Sequence, residues 1–203
     1  MKWVNLHWYG LGAVMTLVLM FAAGCQSPAP PVNEPNFKDV VKNSSITIYP
    51  TVVADPVMPG QATYHPDEAR KLGEWVALTS NITIKYSDDR LRSVTPWDAE
   101  YHGARDGIEA LKAHVQANPV TTDFAVAAVY QIYPEGGGAT AIYMFMVTKD
   151  GKLARWFWSN RRNKGFRDAS PRTPADCTNL LVNIIDDRVR IMEQTEQMYR
   201  KSE

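Results

Sequence analysis

The sequence predicts an α/β (α+β) fold: a single mixed sheet of about five strands with helices packed on it. Two kinds of periodicity point there. Ser45-Ile46-Thr47-Ile48-Tyr49 and Asn81-Ile82-Thr83-Ile84-Lys85-Tyr86 alternate polar and apolar residues with a period of two, the mark of a strand. Other segments repeat apolar residues every three or four positions and open on a proline, as helices do. The third observation is their order, β-α-β-α-β-β-β-α.

The first strand covers 45–49 and extends through Val52 and Val53, with Pro50 placing it at an edge or bending it. A loop rich in Pro, Gly and Asp follows to Tyr64. His65-Pro66-Asp67-Glu68 then opens a helix, with proline in its first turn and acids near its positive end. Leu72, Trp75, Val76 and Thr79 form its buried stripe, and Ser80-Asn81 ends it. In the strand over 81–86, Ile82, Ile84 and Tyr86 share a face.

Thr95-Pro96-Trp97-Asp98 has the cap, proline and acid of a helix start. Trp97, Tyr101, Ala104, Ile108, Leu111 and Val115 follow as one stripe, stopped at Asn118-Pro119. Gly103 and Gly107 weaken this helix or let it lie close to a neighbour.

The stretch 123–133 is apolar on both faces, which predicts an interior strand. Gly136-Gly137-Gly138 turns the chain into a strand over 139–149, and Asp150-Gly151 reads as a two-residue hairpin turn before a strand over 153–158. After a basic loop, Thr173-Pro174-Ala175-Asp176 repeats the capping pattern. The last helix buries Cys177, Leu180, Leu181, Ile184, Ile185 and Met192.

Ahead of this domain the chain has a different character. Lys2 is followed by an uncharged apolar run from Leu11 to Ala23 and then by Gly24 and Cys25, the order of a secretory signal. A membrane-spanning helix wants roughly 20 apolar residues, more than this run offers. Ala22-Ala23-Gly24-Cys25 resembles the lipobox of bacterial lipoproteins, with Ala22 where that family most often has Leu. The resemblance implies a diacylglyceryl group on the sulfur of Cys25 and cleavage just before it. Residues 1–24 then form a signal peptide and residues 25–36 a lipidated cysteine with a tether. The prolines at 28, 30, 31 and 35 make that tether extended and semi-rigid. Residues 37–203 form one globular domain. Gln26, where Asp retains enterobacterial lipoproteins on the inner membrane, implies the outer membrane, facing the periplasm.

The strand opening on Asp123-Phe124-Ala125-Val126 and the hairpin Ala141-Ile142-Tyr143 through Lys149-Asp150-Gly151-Lys152 to Trp156 carry a second resemblance. They are similar to a periplasmic pattern shared by three groups. These are the lipoproteins around the curli-secretion channel subunit, the penicillin-binding-protein activator lipoproteins and the amino-terminal domain of the Tol translocation protein. It covers most of residues 45 to 195 as an element order. It implies an assembly or scaffolding role rather than an enzymatic one. Pore formation is not implied, because the chain has no hairpin of the required length and alternation.

Composition narrows the chemistry. The 203 residues include 22 basic and 22 acidic ones, so no global field draws the chain to nucleic acid. With Cys25 acylated, Cys177 has no intrachain partner, and its place on an apolar stripe reads as a small core residue. His65, His102 and His114 lack the spacing of a helical zinc pair, so neither metal nor cofactor is expected. Asp88-Asp89 and Asp186-Asp187 are adjacent acids that point different ways, unlike facing catalytic carboxylates.

One constellation stands out. Arg161, Arg162, Lys164 and Arg167 crowd into seven residues directly after the aromatic strand end Trp156-Phe157-Trp158. Trp156 and Trp158 point to one side of that strand and Phe157 to the other. The functional reading is docking to an acidic envelope protein, to cell-wall carboxylates or to lipid head groups; the plain reading is two core tryptophans and a solvated loop. A non-catalytic, membrane-anchored binding or assembly protein is therefore expected, with a small envelope enzyme such as a cell-wall hydrolase as the alternative.

Overall fold

The computed structural model describes residues 37–58, 61–79, 81–91 and 102–186. The signal segment, Cys25, the tether, Trp97, Tyr101, Asp187 and Met192 lie outside the described residues. In chain order the elements are α1 (Phe37–Val41), β1 (Ser45–Ile48), β2 (Thr51–Ala54), β3 (Ala62–His65) and α2 (Pro66–Thr79). Then come β4 (Thr83–Tyr86), α3 (His102–Ala117), β5 (Phe124–Tyr133), β6 (Gly138–Thr148), β7 (Leu153–Asn160) and α4 (Lys164–Ala169). A last helix, α5, occupies residues 174–186.

Strand β5 organises the sheet. One edge pairs in parallel with β1 and then β2, and the other pairs antiparallel with β6, so it is interior as its two apolar faces require. β1 and β2 are the two halves of one strand interrupted at Tyr49-Pro50. Pro50 has no N–H to give a ladder, while the Tyr49 N–H still reaches the Val126 carbonyl at 3.0 Å. Pro50 therefore bends a strand that is not at an edge. Beyond the bend the outer partner changes: β4 runs parallel to β1, and β3 antiparallel to β2. On the far side β7 pairs antiparallel with β6. The mixed sheet expected from the sequence is present.

Alternation along β5 sorts the core into two faces. Val126, Ala128 and Tyr130 point to the side covered by α1, α2 and α5, where Val41, Leu72, Val76, Cys177, Leu181 and Ile185 are buried. Ala125, Ala127 and Val129 point to the side covered by α3, where Ala104, Leu111 and Val115 are buried and Ile108 packs against them. The stripe read from the sequence is the packed face of α3. Gly107 lets α3 lie close to β6: a Cβ there would collide with the Phe145 ring.

Three local details depart from expectation. The stretch read as a loop before α2 contains β3, held by its pairing with β2. The basic segment contains the short helix α4. The β6–β7 hairpin uses a three-residue loop, not two: the Thr148 N–H bonds the Lys152 carbonyl, and the Gly151 N–H bonds the Thr148 carbonyl, both at 2.8 Å. Gly151 takes the left-handed conformation (φ 73°) that such a loop needs at its last position.

Candidate functional site

The basic loop is a built structure, and short polar side chains build it. At the end of β7 the Asn160 Oδ1 accepts the Arg162 N–H at 2.9 Å, and the Asn163 Oδ1 accepts the Asn160 N–H at 3.2 Å. This pair turns the chain into α4, which buries Phe166 and ends on Ser170 in the left-handed conformation. The Pro171 carbonyl then accepts the Ala139 N–H at 2.8 Å and ties the loop to the start of β6. At the head of α5 the Asp176 carboxylate accepts the N–H groups of Arg172 (3.1 Å) and Thr173 (2.9 Å), while Thr173 Oγ1 accepts the Asp176 N–H. These donors hold the Asp176 carboxyl below its usual range. The cap expected from Thr173-Pro174-Ala175-Asp176 is formed.

Between this loop and the glycine turn lies a cleft of about 310 Å³, lined by Arg161, Arg167 and Arg172 among ten residues, none of them acidic. Gly136 and Gly138 keep positive φ on its opposite wall. Arg161 is fixed there. Its Nε donates to the Ala139 carbonyl at 3.0 Å, one Nη to the Gly137 carbonyl at 2.9 Å, and its guanidinium lies 5.2 Å from the centre of the Tyr133 ring. Arg167 donates from Nη1 to the carbonyls of Arg161 and Arg162. Lys164 is paired with Asp168 one helical turn on, which removes it as an isolated positive charge.

No protein-family model matches the chain, and no curated protein matches it.

Of the sequence candidates, Arg161 and Arg167 line the cleft; Arg162, Lys164, Trp156 and Trp158 do not. Trp156 and Trp158 stack on each other, ring centres 6.3 Å apart, and are half-buried against the core beneath α3. Phe157 is buried on the other face, edge-on to Phe37. Both faces of the strand end are thus engaged in packing. Cys177 is fully buried, and burial pushes its thiol up to about 12, so it carries no thiolate at neutral pH. Among the described residues no three His, Cys, Asp or Glu side chains gather as metal ligands. His65 contacts Thr63 Oγ1, and His114 meets the Tyr49 ring edge-on.

Three features went unread in the sequence. Arg172 lies beyond Asp168 along the chain, and only the return of the loop brings it back to Arg161. Asp123 accepts both the N–H and the hydroxyl of Ser45 at 2.8 Å, and clamps the start of β1 to that of β5. Glu68, read from the sequence only as an acid near the positive end of its helix, is buried. It accepts the Thr178 hydroxyl at 2.7 Å, and Tyr130 meets the same hydroxyl at 2.9 Å. Lys71 holds the other oxygen of Glu68 at 2.8 Å.

Proposed function

We propose that the chain is an envelope lipoprotein, anchored through lipid on Cys25 at the outer membrane and facing the periplasm, whose domain binds a partner and catalyses nothing. The lipobox-like Ala22-Ala23-Gly24-Cys25 and the proline-rich tether after it support the anchoring half. No helix among the described residues is long and apolar enough to cross a membrane.

The observation that carries the binding half is the arginine-lined cleft. A cationic recess in a chain that is neutral overall concentrates positive potential in one place, which favours encounter with an acidic partner. The hydrolase reading gains nothing from the same site. Ser170 is the one hydroxyl among the lining residues, and no His, Asp or Glu lines the cleft to act as its base.

Photo-crosslinking in intact cells tests the binding role. A crosslinker at Ser170, exposed on the rim, should trap one envelope partner, whereas one at Leu78, exposed on α2, should not. Trapping at neither position, or equally at both, contradicts the proposal.

A further inference from the structure

We infer that the cleft between the glycine turn and the 161–172 loop is a receptor for a carboxylate side chain of an acidic polypeptide, held between Arg161, Arg167 and Arg172. The inference rests on the binding role proposed above and names what is bound.

Pre-organisation is the first argument. Arg161 spends Nε and one Nη on backbone carbonyls, and Arg167 spends Nη1 in the same way. Those bonds immobilise the two guanidinium groups, and their remaining N–H donors are unspent among the described residues. Arg172 has no hydrogen bond or ion pair from its side chain among the described residues. Planar guanidinium forks match a carboxylate in two-point fashion, and forks already fixed lose little freedom on binding.

The walls favour a peptide as the carrier. Phe166 and Pro171 give the cleft an apolar part, and its volume is at the small end of ligand sites, enough for a side chain. The opposite wall is a run of three glycines. At Gly136 a Cβ would meet nothing within 4 Å, so an approaching backbone is not fended off there. Asp176 stands behind the rim, but its carboxylate is occupied by the N–H groups of the α5 cap.

The test uses the full chain purified in detergent and a fluorescein-labelled peptide of alternating Glu and Gly. The peptide should bind in low salt and weaken steeply as salt rises. Arg172→Glu should cut its affinity at least tenfold, Arg172→Gln should cut it less, and Arg162→Glu, off the cleft, less than about threefold. Thermal melting of each variant separates lost binding from lost folding: a tenfold loss counts only where the melt is unchanged. Should Arg172→Glu unfold the chain, Arg172→Gln decides, with a loss of at least threefold expected. Equal binding by wild type and the Arg172 variants overturns the inference. So does displacement of the peptide by inorganic phosphate at equal charge concentration, or binding to anionic phosphatidylglycerol vesicles but not to the peptide. If Ser170 still traps a partner in cells while peptide binding ignores Arg172, the carboxylate receptor falls and the binding role stands. Trapping that fails while the peptide binds removes the binding role itself.

Discussion

Asp123 and Asp176 show how single carboxylates fix the ends of elements in this domain. Each is held by hydrogen-bond donors: the N–H and hydroxyl of Ser45 for Asp123, the N–H groups of Arg172 and Thr173 for Asp176. Those bonds lower both carboxyls from their usual range, the backbone donors contributing most. A folded-state pKa below the unfolded one means that the folded chain binds fewer protons between the two values. The stabilisation is complete above the ordinary carboxylate pKa of about 4 and is lost as pH falls through the lower folded value. The melting temperature should therefore drop on acidification from about pH 5 towards pH 2. Asp123→Asn should melt lower than wild type at pH 7 and lose less over the same acid range. An unchanged acid slope in that variant would mean that the Ser45 clamp does not contribute.

Among the elements, α5 is joined to the sheet and to α2 by a polar contact inside an apolar layer. Thr178 on α5 donates to Glu68 on α2 and meets Tyr130 on β5, with burial pushing the Tyr130 hydroxyl far above its usual range. Removing the hydroxyl while keeping the shape leaves Glu68 short of a donor. Thr178→Val should cost about 1–3 kcal/mol in chemical unfolding, the range for stranding a buried polar partner. A change below about 0.5 kcal/mol would show that water replaces the contact.

The same elements show what a sequence reveals. β5 and the α3 stripe were legible because local periodicity equals burial there: the alternation of β5 serves two apolar faces, and Leu111 and Val115 recur at helical spacing. The α5 cap was legible because its signal lies within four consecutive residues. β3 was not, since Ala62 and Tyr64 make too short an alternation to stand out from the loop around them, and the strand is held by its partner β2. Burial of Glu68 was hidden for a related reason: Thr178 is 110 residues away in sequence. The cleft was half legible. Four cations within seven residues mark the loop in the sequence, yet Lys164 is paired with Asp168, and Arg172 joins only through the fold.

At the scale of the molecule, the role proposed is that of a tethered binding domain. The core is built on both faces of one sheet, and the loops at one end of β5 and β7 leave a cationic recess. Arg161 is part of that architecture as well as of the recess, because it holds the glycine turn through two carbonyls. Its reversal to Glu therefore disturbs the turn itself, and Arg172 is the better probe of binding. On the proposed reading, a lipid anchor and a proline-rich tether keep the recess near a membrane, where a partner is met repeatedly. All of this depends on Cys25. Mass spectrometry of the mature protein from cell membranes is the direct measurement: the account predicts an amino-terminal Cys25 carrying acyl chains, with Cys25→Ser left uncut. A soluble mature protein that begins elsewhere, or an uncut wild-type chain, would contradict it.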